Sequence, residues 1–196
     1  MRLLSRVCMS AFVLVAAIVS AVPTASAVTT TRLAAMPAAA DVLQAVIGPS
    51  DTYVLYLAKG AFGGPLYTEA WTVKLEQNPA PRLVSRAPDG VPIIVDKAAY
   101  SRDGTHVYFT GRRDESGAVD HALYQVAVDG SGIATRMSAP VLSTMTVGIG
   151  FETPNGATIV YGRSDGEWFS LPANGSYADA VHLAGAGTRL VRATRI

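Results

Sequence analysis

A short pattern, in which a polar tight turn leads directly into an apolar strand, occurs three times in this sequence. The copies read SDTYVLYLAKG at 50–60, RDGTHVYFTGR at 102–112 and PNGATIVYGRS at 154–164. Their strand cores begin at Thr52, Thr105 and Ala157. The two intervals, 53 and 52 residues, are close to the upper limit of the range of about 20 to 50 residues that marks propellers, solenoids and arrays. The chain is therefore expected to consist of repeated units.

Further strand-like segments follow each copy at matching places. The stretches EAWTVKL, HALYQVAV and GEWFSLPA each hold an aromatic residue among alternating apolar positions, which is typical of half-buried strands. A short basic or histidine-aliphatic segment comes next, and another strand-like segment, at 91–100 and again at 144–151, precedes the following turn. Four short strands joined by Gly, Asp, Asn and Pro turns are typical of one propeller blade.

The sequence thus predicts an all-β fold, a propeller-like array of about three four-stranded antiparallel blades. The only helix expected after the N-terminal segment is a possible single turn at 39–46. Aromatic residues recur at the same place in the second strand of each unit, and we expect them to pack between blades. They are Trp71, Tyr124 and Phe169.

The unit S-R-D-G-T-H-V-Y-F-T, followed by L-Y-Q-V-A-V-D-G-S-G, resembles the TolB-like (WD40-like) β-propeller repeat family. The match is closest for 101–137, weaker for 151–183 and weakest for 48–84, where Asp51 stands at the turn in place of a glycine. The resemblance implies a non-catalytic module that binds another protein in the cell envelope or outside the cell. Only three units are recognisable, whereas closed propellers usually have four to eight blades. An open half-propeller that dimerises into a ring, a sandwich-like variant and a truncated chain all remain open.

The N-terminus has the features of a secretory signal peptide. Arg2 and Arg6 precede an apolar run at 9–22, and a small-residue A-x-A site ends at Ala27. The run is shorter than a membrane span, so we expect cleavage after Ala27, a secreted, periplasmic or cell-envelope location and no stable membrane span afterwards. A flexible lead-in is expected at 28–40, followed by repeat units near 48–100, 101–151 and 152–196 within 41–196.

The remaining composition excludes several function classes. Lys and Arg number 16 against 15 Asp and Glu, and loss of Arg2 and Arg6 leaves the charges nearly balanced, so bulk charge would not attract nucleic acid. The single cysteine, Cys8, lies within the signal segment, so the mature chain would form no disulfide.

No catalytic or metal-binding motif stands out. The one match to G-x-S-x-G, GRSDG at 162–166, falls in the connection between the first and second strands of the third unit, and the glycine-serine stretch at 129–132 fits a hairpin turn. His106, His121 and His182 fall in three different strands without zinc-site spacing, and the acidic cluster at 114–120 lacks calcium-loop spacing. We therefore expect no enzymatic activity, no cofactor and no metal.

The loops between the first and second strands differ most between units, at 59–69, 112–120 and 163–166, and loops on a rigid scaffold commonly carry binding specificity. The same side chains could instead fold over the blade edge. Alternative functions are an accessory propeller of the kind found beside serine peptidases, or a carbohydrate- or cell-wall-binding propeller. The partner is expected to be a protein, with a homodimer as one possibility. The candidate contact residues are Phe62, Leu66, Tyr67, Arg112, Arg113 and Asp114.

Overall fold

The computed structural model describes residues 41–60, 67–76, 80–115, 118–139, 141 and 144–185, without the side chains of 114–120. These residues form strands and one short 3-10 helix, Tyr177–Asp179, and contain no α-helix. The strands in chain order are β1 (Asp41–Ile47), β2 (Tyr53–Lys59), β3 (Thr68–Lys74), β4 (Arg82–Leu83), β5 (Ile94–Tyr100), β6 (His106–Glu115), β7 (Ala118–Ala127), β8 (Thr135–Arg136), β9 (Val147–Glu152), β10 (Thr158–Arg163), β11 (Trp168–Pro172) and β12 (Val181–Ala184).

The strands make three four-stranded antiparallel sheets, each built from four consecutive strands. Sheet I holds β1–β4, sheet II holds β5–β8 and sheet III holds β9–β12. Sheet II contacts sheet I where β5 lies on β2 and β3, and sheet III contacts sheet II where β9 lies on β6 and β7. The predicted all-β class and its three four-stranded sheets are confirmed, and the arrangement is consistent with blades.

Two features of the sequence prediction look different in the structure. The possible helical turn at 39–46 is wrong for its described part, because residues 41–47 form β1 and pair with β2. Each sheet also begins one strand before the sequence repeat does, so β5, at the end of the unit 48–100, belongs to sheet II. The predicted signal-peptide helix and the lead-in at 28–40 lie outside the described residues.

Each sheet's second strand is entered through the same turn. A backbone N–H at the start of the turn donates to the carbonyl of the residue five positions later, over 2.8 to 2.9 Å; the donors are Gly48, Ser101 and Thr153. The fourth residue has a positive φ, 71° at Gly104 and 70° at Gly156 but also 52° at Asp51. A residue with a Cβ is disfavoured there, so the copy without glycine carries local backbone strain.

Matching side-chain hydrogen bonds stabilise this turn in sheets II and III. The Ser101 hydroxyl donates to Asp103 Oδ1 over 2.6 Å, and the backbone N–H of Thr105 donates to the same oxygen over 3.0 Å. In sheet III the Thr153 hydroxyl donates to Asn155 Oδ1 over 2.8 Å. Because Asp and Asn both offer an acceptor oxygen two residues before a backbone N–H, either residue fixes the turn.

A buried serine marks the point where the fourth strand leaves sheets I and II. Ser85 Oγ accepts the backbone N–H of Ala70 over 3.0 Å, and Ser138 Oγ accepts that of Leu123 over 2.9 Å. Both serines are fully buried. Each lies two residues after the strand partner of the recurring aromatic residue, and in sheet III that place is taken by Ala184.

The core lies in layers on the sheet faces. One cluster between sheets I and II includes Leu55, Leu57 and the stacked rings of Phe109 and Tyr124, with centroids 5.3 Å apart. A second, between sheets II and III, includes Tyr108, Leu123, Met137, Ile159 and Leu171, with Phe169 packed against it. The predicted position of Tyr124 and Phe169 between sheets is therefore confirmed.

Trp71 lies on the opposite side of sheet I from sheet II. It is buried with Val54, Tyr56 and Val73, and every described member of this cluster belongs to sheet I. Alternation along β2 explains the separation, because Leu55 faces sheet II whereas its neighbours Val54 and Tyr56 face away. The far face of β2 and β3 is thus buried, whereas β1 of the same sheet is exposed.

Candidate binding site

A cavity of about 430 Å³ lies between sheets I and II. It opens beside the segment that joins these sheets and reaches β6, β7 and β8. Most of its surface is apolar, and two arginines and one tyrosine are among its lining residues; Arg136 is exposed, whereas Tyr124 is buried. The lining residues are Ala87, Pro88, Arg113, Tyr124, Ile133, Ala134, Thr135 and Arg136.

The cavity has its position because β6 and β8 present alternate residues to sheet I. Phe109 and Tyr124 are register partners on this face, and Arg113 follows Phe109 at an even spacing, so it lies on the same face. Arg136 is the register partner of Tyr124 on β8. Tyr124 itself is buried, and Ile133 is 52% exposed, so an aromatic ring lies inside and an aliphatic side chain at the rim.

The two arginines of the cavity have different partners. Arg113 forms an ion pair with Asp89, which lies on the turn after Pro88. The guanidinium carbon of Arg136 lies 5.7 Å from the ring centroid of Tyr177. Within the described residues Arg136 has no carboxylate at ion-pair distance, and a surface cation over an aromatic face is stabilised by only about 0.5–1 kcal/mol.

The candidate residues taken from the sequence fall in different places. Arg113 lines the cavity, whereas Arg112 is exposed on the opposite face of β6. Tyr67 is half-buried just before β3, and its carbonyl accepts the N–H of Gly60 over 3.0 Å. Asp114 lies in β6, but its side chain is outside the description, as are Phe62 and Leu66 altogether.

The sequence prediction missed Arg136, Tyr124 and Ile133 as cavity residues. Tyr124 was assigned to the core, which is where most of its ring lies. Arg136 lies in the two-residue strand β8, which a turn separates from β7. Its position in the same cavity as Arg113 depends on the register between β6, β7 and β8. That register was the missing signal, because alternation along one strand cannot show which residue of the next strand lies opposite.

A second exposed surface is the strand β1. All its residues are exposed, including Val42, Leu43, Val46 and Ile47 at 40 to 60%. In the described residues β1 pairs only with β2, so it is an edge strand. A bulge interrupts the pairing at Leu43, and the matching bulge of β5 falls at Asp96.

A second cleft lies between sheets II and III near the repeated turns. Asp103, His106, Tyr108 and Glu152 line its 350 Å³. The Ser101 hydroxyl, then the Thr105 N–H, lower the pKa of Asp103 to about 2. Burial and the nearby carboxylates raise the pKa of Tyr108 well above its ordinary value.

Glu152 also joins the two sheets, because its Oε2 accepts the backbone N–H of Arg102 over 2.5 Å. The carboxylate therefore already has a structural partner. His121 is the most buried histidine and lies 3.3 Å from Asp96, and His182 contacts Glu167. The His121–Asp96 contact is an ion-pair distance without a hydrogen bond, since His121 Nδ1 is buried with no hydrogen-bond partner among the described residues.

Searches of the described residues and comparisons with other proteins add no ligand. Within the residues that the structure describes, no group of three or more His, Cys, Asp or Glu side chains is arranged to hold a metal ion. No helix in this part of the chain has the length and apolar character required to cross a membrane. Neither a family model, nor a curated protein, nor a solved structure matches this chain.

Proposed function

We propose that this chain is an exported, non-catalytic binding module, built as a partial β-propeller of three blades, and that it binds another protein. The proposal rests on the exposed apolar strand β1. It is supported by the same turn and the same sheet order in all three sheets, and by similar packing at the two contacts between sheets. Repeat arrays of this kind serve as rigid scaffolds for binding surfaces.

The strand β1 has a bulge at Leu43, which is one feature that can protect an edge, but it lacks the protecting side chains. Natural edge strands carry lysine, proline or inward-pointing charges, because unpaired backbone groups otherwise recruit another chain. Between Val42 and Ile47 there is no charged residue, whereas β5 carries Asp96 and Lys97 at and beside the matching bulge. An exposed apolar edge suits an extended segment of a partner, which would add as a strand and bury Leu43.

The loop residues predicted from the sequence belong to the same proposal. Tyr67 lies at the end of the connection between β2 and β3 and would extend the contact beyond β1. Arg112 was predicted in a loop at 112–120, but it lies within β6, paired with His121 of β7, because these two strands continue their pairing as far as Glu115 and Ala118. If substitution of these residues alone abolished binding, the interface would lie at the loops and not at the edge strand β1. The remaining predicted loop contacts are Phe62, Leu66, Arg113 and Asp114.

Photocrosslinking tests the proposal directly. A benzophenone amino acid replaces Leu43 in one version and Leu75, also an exposed aliphatic residue, in a control, and both are irradiated in the cells that produce the protein. We expect an adduct with a second protein from position 43 only, and its loss when Val46→Lys is added. Equal adducts at both positions, or none at 43, would refute the proposal.

Two measurements test the remaining parts. An adduct of twice the chain mass would identify the partner as a second copy, and the solution mass would then report a dimer. N-terminal sequencing of exported material should begin near Val28. Material confined to the cytoplasm, or a different start, would contradict export by cleavage after Ala27.

A further inference from the structure

The cavity between sheets I and II combines apolar walls with positive charge. Arg113 is partly neutralised by Asp89, whereas Arg136 has no carboxylate partner among the described residues. The walls nearest the opening are aliphatic, and the buried ring of Tyr124 closes the inner side. Such a site combines arginine side chains with a mostly apolar surface.

This combination selects a particular kind of ligand. A guanidinium presents two parallel N–H donors that match the two oxygens of a carboxylate. An inorganic anion would satisfy these donors but leave the apolar walls uncovered. A neutral apolar molecule would cover the walls but leave the charge of Arg136 without a counter-ion. Only a ligand with both parts fits the whole lining.

We propose that the cavity binds a carboxylate carried on an aliphatic or aromatic body, with Arg136 as the main contact to the carboxylate. Arg113 contributes a second donor from the opposite side of the opening, and Ile133 and Pro88 pack against the apolar body. A volume of about 430 Å³ lies within the usual range for small-ligand sites. The same chemistry occurs in a free organic acid and at the C-terminal residue of a peptide.

The competing explanation is that Arg136 is a surface residue held only by Tyr177. In that case the carboxylate of a ligand would bring no advantage over a neutral analogue. A charge-assisted hydrogen bond is worth about 1.5–3 kcal/mol, which corresponds to a ten- to hundredfold change in affinity. The comparison between an acid and its amide therefore separates the two explanations.

The test is a titration of the full chain followed by NMR or calorimetry. The probes are N-acetyl-leucine, its amide and acetate, which supply both parts, the body alone and the charge alone. We expect saturable binding of N-acetyl-leucine, at least tenfold tighter than the other two. Equal affinity for the acid and the amide, or no saturable binding of the acid, would overturn the proposal.

Variants place the binding in this cavity. Arg136→Gln should lower the affinity for N-acetyl-leucine at least tenfold. Arg136→Lys should lower this affinity less, because it keeps the positive charge. The control Arg112→Gln removes a neighbouring cation on the other face of β6 and should leave affinity unchanged. Unchanged affinity in a folded Arg136→Gln, checked by its thermal transition, would refute the role of this residue.

Two further measurements identify the source of the carboxylate and test whether binding at this cavity is independent of β1. A peptide ending in Gly-Gly-Leu with a free carboxylate should bind more tightly than N-acetyl-leucine if the natural ligand is a chain terminus, and equally if it is a free acid. The variant Leu43→Lys should leave either affinity unchanged. Failure of crosslinking at β1 beside intact acid binding would reject the proposed protein interface alone.

Discussion

Ser85 and Ser138 hold the backbone at the point where the fourth strand leaves its sheet, and alanine substitution should expose the energy of that contact. Each hydroxyl oxygen accepts a backbone N–H over 2.9 to 3.0 Å in a fully buried place. Removal leaves the N–H of Ala70 or Leu123 without this acceptor and out of reach of water. An unsatisfied buried donor costs about 1–3 kcal/mol.

The two serines should act independently, because they belong to different sheets. Ser85→Ala and Ser138→Ala should therefore destabilise by about 1–3 kcal/mol each and by about 2–6 kcal/mol together. That is a large part of the roughly 5–15 kcal/mol typical of a folded domain. With an m-value near 2 kcal/mol/M, a single substitution lowers the urea midpoint by about 1 M.

Urea unfolding followed by tryptophan fluorescence and circular dichroism measures both effects. The control is Ser131→Ala, whose hydroxyl also makes a hydrogen bond, to Asp129, but on an exposed turn where water can replace it. Its effect should stay within about 0.5 kcal/mol. If Ser85→Ala or Ser138→Ala changed stability no more than this control, the serine hydroxyl would not be the required acceptor.

Two smaller changes test the repeated turn. Asp51→Gly removes backbone strain of about 1–2 kcal/mol at a positive φ but costs about 0.4–1 kcal/mol because it increases the entropy of the unfolded chain. The urea midpoint should therefore rise for Asp51→Gly and fall for Gly104→Asp. Destabilisation by Asp51→Gly would contradict this account. The Ser101 hydroxyl helps to lower the Asp103 pKa to about 2. Because the folded pKa is depressed, the ionised carboxylate stabilises the fold above about pH 4, and this is lost as pH falls through 2. Asp103→Asn keeps the turn, as Asn155 does in sheet III, and should flatten stability between pH 4 and 2; an unchanged slope would argue against the carboxylate.

Periodicity predicted the sheets because the same few turn residues recur at nearly the same interval. The copy at 101–111 contains serine, aspartate and glycine at the places where the structure needs an acceptor oxygen and a positive φ. Alternation then placed Tyr124 and Phe169 in the layers between sheets. These are local properties, so a single chain segment carries enough information for them.

The binding surfaces depend on long-range register, and the sequence prediction found them only in part. Arg113 was selected as a loop residue, but its partner Asp89 lies 24 positions earlier on the segment between sheets. The strand β1 was expected to hold a turn of helix, since DVLQAVI has no strict alternation. Its pairing with β2 decides the conformation, and an exposed edge has no buried face to reveal the strand period.

The far face of sheet III differs from its counterparts in a way that limits how the array can continue. In sheets I and II the register pairs on the face toward the next sheet are Leu57 with Ala70 and Thr110 with Leu123. In sheet III the matching pair is Gly162 with Trp168, and a Cβ on Gly162 would lie 3.2 Å from the indole. The large side chain lies on the third strand, as Leu123 does in sheet II, and here it covers the glycine of the second strand. A further sheet would therefore meet the flat indole instead of interlocking side chains. A dimer that closes a ring at this face must bury Trp168. Comparison of the solution mass of Trp168→Ala with that of the unchanged protein tests this expectation.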